Sequence, residues 1–198
     1  NLPFFIIKHY KQMSCDITEG RIVKCKDSLG GLDKVYFINA GDLDPADITY
    51  GSNGDTIASI TGTQHAYEYD LKGVSTFTQN IQSSRENGTT VFEQVLELTL
   101  PNLSPQDHKE IKLLAYGNPH VIVRDNNSNF FLMGHSFGAD VTGGTVVTGG
   151  GMPDMSGYTL SLSAMEIKPA NYFDSTTEAT LATACGLIIV KGDGTFIS

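Results

Sequence analysis

Apolar and β-branched residues recur along the chain in short runs, many with a period of two, separated by glycine-rich and polar turns. This is the pattern of strands. KVYFINA at 34–40 is a nearly unbroken apolar run between Gly30-Gly31 and Gly41, which predicts a buried strand. QHAYEYDL at 64–71 alternates, with Tyr67, Tyr69 and Leu71 on one face and Glu68, Asp70 and then Lys72 on the other. That is a half-buried strand, continued after Gly73 by GVSTFTQNIQ with Phe77 and Ile81 on one side. Asn87-Gly88 is a strong turn signal, and the segment after it sets Phe92, Leu96, Leu98 and Leu100 against Glu93 and Glu97, which predicts an antiparallel pair. HVIVRD and NFFLMG flank a polar tip at 126–129 as a second hairpin, and SGYTLSLSAMEI at 156–167 is a last long alternating strand.

One stretch departs from this period. In SPQDHKEIKLLAY, Ser104 is placed to cap, Pro105 suits a first helical turn, Asp107 completes a capping-box spacing and Gly117 follows the last periodic residue. Ile111, Leu114 and Ala115 form its apolar stripe, with Leu113 beside it. The glycine-dense segment 141–157 predicts either a loop or a backbone that approaches another chain closely, and within it Val146, Val147, Gly149, Gly150 and Met152 are candidate interface residues. Residues 168–198 are loosely patterned until CGLIIV and KGDGTFIS, which read as a short hairpin turning at Gly192-Asp193-Gly194.

At 198 residues, with 21 glycines, no tryptophan and many Thr, Ser and Asn, the chain fits one domain of strands joined by tight turns. The expected fold is mainly β: an antiparallel β-sandwich or barrel with one flanking α-helix, a long Gly-rich loop and terminal arms. Its borders are an arm at 1–12, a β domain at 13–173 and a C-terminal extension at 174–198. The net charge of −9 opposes a wrapping contact with nucleic acid, which requires Lys and Arg to displace counterions from phosphates. Phe4, Phe5, Ile6 and Ile7 form an apolar run far short of a membrane span, with no small-residue cleavage site behind it, so neither a membrane segment nor an export signal is expected.

Candidate chemistry adds little. GHSFG at 134–138 matches the GxSxG pattern of serine hydrolases, but no histidine follows Ser136 and no helical segment succeeds it, so a strand-to-strand corner is expected. Asp125, Asn127 and Asn129 imitate the start of a calcium loop, yet Phe130 replaces the glycine of the sixth position and Ser136 the glutamate of the twelfth. The histidines lack metal-ligand spacing, and Cys15, Cys25 and Cys185 have no CxxC pair. No catalytic residue, cofactor or metal is expected. The remaining feature is the pair of acidic faces, Glu68 with Asp70 and Glu93 with Glu97.

The opening MSCDITEGRIVKCKDSLGGLDKVYFIN, the block SRENGTTVFEQVLELTLP, the capped helix with its hairpin SPQDHKEIKLLAYGNPHVIVRD and the strand SGYTLSLSAMEIKPA resemble virion structural proteins of tailed bacteriophages, in particular the tail-tube group. The resemblance covers roughly 13–173 and is one of whole pattern. It implies a virion subunit, assembled in the cytoplasm of a bacterial host, that joins sheet edges into rings, hexamers in that group, stacked as a tube through which DNA slides without specific binding. On that reading Glu68, Asp70, Glu93 and Glu97 face the lumen. Phe4, Phe5, Ile6 and Ile7, together with the 141–157 segment, meet sister copies, and other virion proteins are further partners. Tail terminators, head–tail connectors and head decoration proteins share the resemblance.

Overall fold

The structure is a computed structural model and describes Ile17, residues 19–22 and residues 26–198. The elements are β1 (Leu32–Ile38), β2 (Ile48–Tyr50), β3 (Ile57–Ile60), β4 (Gln64–Asp70), β5 (Thr76–Ser84), β6 (Thr89–Pro101) and α1 (Pro105–Tyr116). They continue with β7 (His120–Asp125), β8 (Phe130–Met133), β9 (Asp140–Val147), β10 (Gly157–Glu166), β11 (Asn171–Tyr172), α2 (Glu178–Cys185), β12 (Leu187–Val190) and β13 (Phe196–Ile197).

The strands form a seven-stranded sheet in the order β11-β8-β7-β1-β4-β12-β13, a four-stranded sheet in the order β5-β6-β10-β9, and the small hairpin β2-β3. The protein is mainly β, as expected, and its two larger sheets pack as a sandwich. Val35 and Phe37 of β1 and Val121 and Val123 of β7 meet Leu96, Leu98 and Leu100 of β6 and Leu160 and Leu162 of β10, with Ile111 and Leu114 of α1 at the margin. The alternate residues Tyr36, Ile38 and Ile122 project to the opposite face, where Leu43, Ile48, Ile57 and Ile60 around the β2-β3 hairpin and Leu181, Ala182 and Cys185 of α2 cover them. Strand positions buried on both faces must be apolar, which is why VYFI at 35–38 and VIV at 121–123 show no alternation.

Helix α1 forms where its capping residues are: the Ser104 side chain accepts from the Asp107 N–H and Gly117 closes the last turn. The β5-β6 turn falls at 85–88, with Gly88 at φ 63°, so the Asn-Gly signal was sound. Three expectations are corrected. GVSTFTQNIQ does not continue β4: the chain crosses at 71–75 into the other sheet, because Leu71 closes one core and Phe77 joins it from the opposite side. The first half of the Gly-rich segment is not a loop but β9, paired to β10 from Gly157↔Val147 to Ser163↔Asp140. A Cβ on Gly144 would lie 2.6 Å from the Thr159 carbonyl oxygen, so the glycine there permits a close strand approach, not mobility.

The third correction concerns 174–198, expected as an outside extension. Its helix α2 and strand β12 belong to the core, with β12 parallel to β4 from Leu187↔Gln64 to Val190↔Tyr67. The expected C-terminal hairpin is present as β12-β13. The second helix escaped notice because its capping box is Thr177 with Thr180 rather than Ser or Thr with Glu or Gln, and its buried face is one leucine among small residues. Leu181→Ala opens a cavity beneath a fully buried side chain, and is expected to lower unfolding free energy by about 2–5 kcal/mol in denaturant titration. A loss under about 1 kcal/mol would mean that α2 is a dispensable appendage.

Candidate functional site

The GHSFG string is a turn between β8 and β9, the strand-to-strand corner expected. His135 is buried, and its Nδ1 lies 2.9 Å from Ser136 Oγ while its Nε2 lies 2.6 Å from the Tyr50 hydroxyl. Burial, assisted by Lys168 and His120, holds its pKa below the ordinary value against the pull of Glu166. The backbone N–H groups of Ser136 and Phe137, where an oxyanion would have to bind, both donate to Glu166 Oε1 at 2.8 and 3.1 Å. The arrangement is a satisfied corner with its serine at the surface: a carboxylate occupies the two amides and a buried ring braces the hydroxyl. Ser136→Ala is expected to leave stability within about 1 kcal/mol and a fluorophosphonate probe to leave Ser136 unlabelled; labelling would reinstate a hydrolase.

Asp125 caps its own hairpin, accepting from the N–H groups of Asn127 and Asn129 at 2.9 and 2.8 Å and from the Asn129 side chain at 2.8 Å. The three residues form a polar tip. Among the described residues no group of His, Cys, Asp and Glu is arranged to hold a metal, and no helix is long and apolar enough to cross a membrane.

The four acidic candidates do not share a surface. Glu93 and Glu97 lie on the outer face of the four-stranded sheet, away from Leu96 and Leu98, and accept from Gln82 Nε2 at 3.0 Å and Thr76 Oγ1 at 3.5 Å. Glu68 instead faces the α2 side of the seven-stranded sheet, with a side chain only 8% exposed. There Lys34 Nζ lies 3.0 Å from Glu68, 3.6 Å from Asp70 and 2.8 Å from Glu178. Arg124 bridges Asp33 at 3.0 Å and Glu178 at 3.4 Å, Lys191 reaches Glu178 at 3.3 Å, and the Tyr36 hydroxyl donates to Glu178 Oε1 at 3.1 Å. The polar face expected of β4 is thus a covered ion network, centred on a glutamate at the first turn of α2, where the helix dipole also favours negative charge.

Sequence reasoning missed this network because its members are scattered from Asp33 to Lys191. Burial alone pushes the Glu178 carboxyl up, but the bonds from Lys34, Tyr36 and Lys191 outweigh it and hold it below the ordinary carboxylate range. A depressed folded-state pKa adds stability that is present above the unfolded value and lost as pH falls through the folded one. Glu178→Gln is therefore expected to cost about 1–3 kcal/mol at pH 7 and less at pH 3. An equal loss at both pH values would show that the network contributes nothing through its charge.

The outer face of the four-stranded sheet has a distinct chemistry. β5, β6, β9 and β10 contain no Lys or Arg. By register the face presents Thr76, Thr78, Asn80 and Gln82, then Glu93 and Glu97 with Val91 and Val95 between and beside them, then Thr159, Ser161, Ser163 and Met165, with Asp140 and Thr145 on β9. Among the described residues the sheet ends in two unpaired edges, β5 and β9. β5 carries no charged residue over nine positions, and β9 only Asp140 at its start, with one bulge near Ser161 and Leu162 of its partner. Folded proteins normally blunt such borders with charge, proline or cover. Of the other interface candidates, Val146 and Val147 are on β9 and Gly149, Gly150 and Met152 in the β9-β10 loop, where Met152 is fully exposed. Asp154 shapes that loop by accepting from the Gly150 and Gly151 N–H groups at 3.0 and 2.6 Å. Phe4, Phe5, Ile6 and Ile7 lie outside the described residues. No protein-family model, curated protein or solved structure matches the chain.

Proposed function

We propose that the chain is a virion structural subunit of the tail-tube type, which joins β9 of one copy to β5 of the next to close rings. The observation that carries this reading is the four-stranded sheet, with one wet face bearing carboxylates and no base, bounded by two long edges without charge protection. Strand directions favour it. Every neighbour in the sheet is antiparallel and the number of strands is even, so the open edges run in opposite senses. A rotated sister copy then adds its β9 antiparallel to β5, and the ladder closes without a parallel step.

In such a ring the wet faces form one surface, and Glu93, Glu97 and Asp140 repel the phosphates of a passing duplex while the surrounding hydroxyl and amide groups offer no fixed counter-charge. Glu68 and Asp70 are not part of that lumen, since they lie on the other sheet, Glu68 in the covered network and Asp70 at its exposed rim. Hexamers, the bacterial cytoplasm as the place of assembly and other virion proteins as partners follow from the resemblance to tailed-phage structural proteins.

Purified protein is expected to form rings or tubes visible by electron microscopy. Thr78→Lys together with Val146→Lys places a charge on each open edge, at positions already exposed, and is expected to leave a folded monomer. Wild type that stays monomeric at high concentration, or rings that persist in the double variant, would overturn the reading.

A further inference from the structure

Two Asn-Gly pairs occur in the chain, Asn53-Gly54 and Asn87-Gly88. Each sits in the loop of a hairpin, the first between β2 and β3 and the second between β5 and β6. In an Asn-Gly pair the side-chain amide is open to attack by the next backbone nitrogen, because glycine sets no Cβ beside that nitrogen. Steric setting does not separate the two. All four residues are exposed, both glycines are left-handed, with φ 78° and 63°, and each has open space where a Cβ would stand.

Hydrogen bonding separates them. Asn53 Oδ1 accepts from the Asp55 and Thr56 N–H groups at 3.2 and 3.0 Å, its Nδ2 donates to Thr56 Oγ1, and the Gly54 N–H donates to the Gly51 carbonyl at 3.0 Å. Both the nitrogen and the carboxamide of that pair are tied to other partners. At Asn87 the backbone N–H donates to Ser84 Oγ at 3.3 Å, and among the described residues neither the Asn87 carboxamide nor the Gly88 N–H has a hydrogen-bond partner. The rotation that brings Asn87 Cγ to the Gly88 nitrogen therefore breaks no bond.

We infer that Asn87 is a site of spontaneous deamidation, which the fold leaves reactive while it shields Asn53. The Gly88 nitrogen bonds to Asn87 Cγ and gives up its proton, the Cγ–Nδ2 bond breaks, and the amide nitrogen leaves with that proton as ammonia, closing a cyclic succinimide. Water then opens the ring. Opening at the side-chain carbonyl yields aspartate, and opening at the main-chain carbonyl yields isoaspartate; neither step is an oxidation or a reduction. Each product adds a negative charge beside Arg85 and Glu86 on a chain already at −9. Isoaspartate also lengthens the main chain of the turn by a carbon, next to the Ser84↔Thr89 pair that ends the β5-β6 ladder. The inference stands apart from self-assembly, since it needs only a folded chain and water.

The full chain, dilute and in mildly alkaline buffer made with heavy-oxygen water, is held either folded or unfolded in urea and sampled over days. Trypsin, cutting after Lys34, Lys72, Arg85 and Lys109, places the two pairs in different peptides, 35–72 and 86–109. Mass spectrometry with fragmentation reads heavy-oxygen uptake at each asparagine, and circular dichroism confirms the fold. In urea the two are expected to convert at similar rates. In the folded chain Asn87 is expected to convert at least about tenfold faster than Asn53, whose bonds must break first. An Asn87 that stays intact in the folded chain while it converts in urea would overturn the inference, as would an Asn87-to-Asn53 rate ratio no greater in the folded chain than in the unfolded one.

Discussion

A sheet that is dry on both faces has no face to offer another molecule, and this constraint organises the protein. β1 and β7 spend their alternate residues on two separate cores, one shared with β6 and β10 and one with α2 and the β2-β3 hairpin. The seven-stranded sheet is therefore an internal wall. The four-stranded sheet buries one face against that wall and, among the described residues, leaves its other face uncovered and both borders unpaired. The buried Glu178 network belongs to the same constraint: covering the second face brings α2 over the ends of β1, β4 and β7, and the charges there persist only because each has a partner.

Much of this was legible in the residues. β6 and β10 declare themselves by alternation, the β5-β6 turn by Asn87-Gly88, and α1 by Ser104, Pro105 and Gly117, because in each case local chemistry and tertiary demand agree. β9 did not, since Gly144 permits a strand proximity that only the partner strand reveals. α2 was hidden by Thr180 in place of a longer capping side chain and by a buried face of one leucine with Ala182 and Cys185.

The candidate site was legible in halves. Glu93 and Glu97 alternate with Leu96 and Leu98 on an antiparallel strand, so their wet face follows from the period alone. Glu68 alternates as cleanly, yet what covers its face comes from residues more than a hundred positions away, and period carries no information about that. The available hint was that Lys34, Arg124 and Lys191 each abut an apolar run, VYFI, HVIV and LIIV. A cation fixed to the end of a buried strand calls for a carboxylate nearby, and Glu178 is that carboxylate.

The central claim is that the unprotected borders of the four-stranded sheet find one another between copies. Hydrogen–deuterium exchange of Thr76–Ser84 and Asp140–Val147, followed as protein concentration is raised, tests it most directly, because amides that donate to solvent in a monomer become ladder donors in a ring. Protection that grows with concentration in both segments, with the β1 and β7 amides protected throughout, is the expected result. Exchange in both segments that stays fast and independent of concentration would contradict the claim.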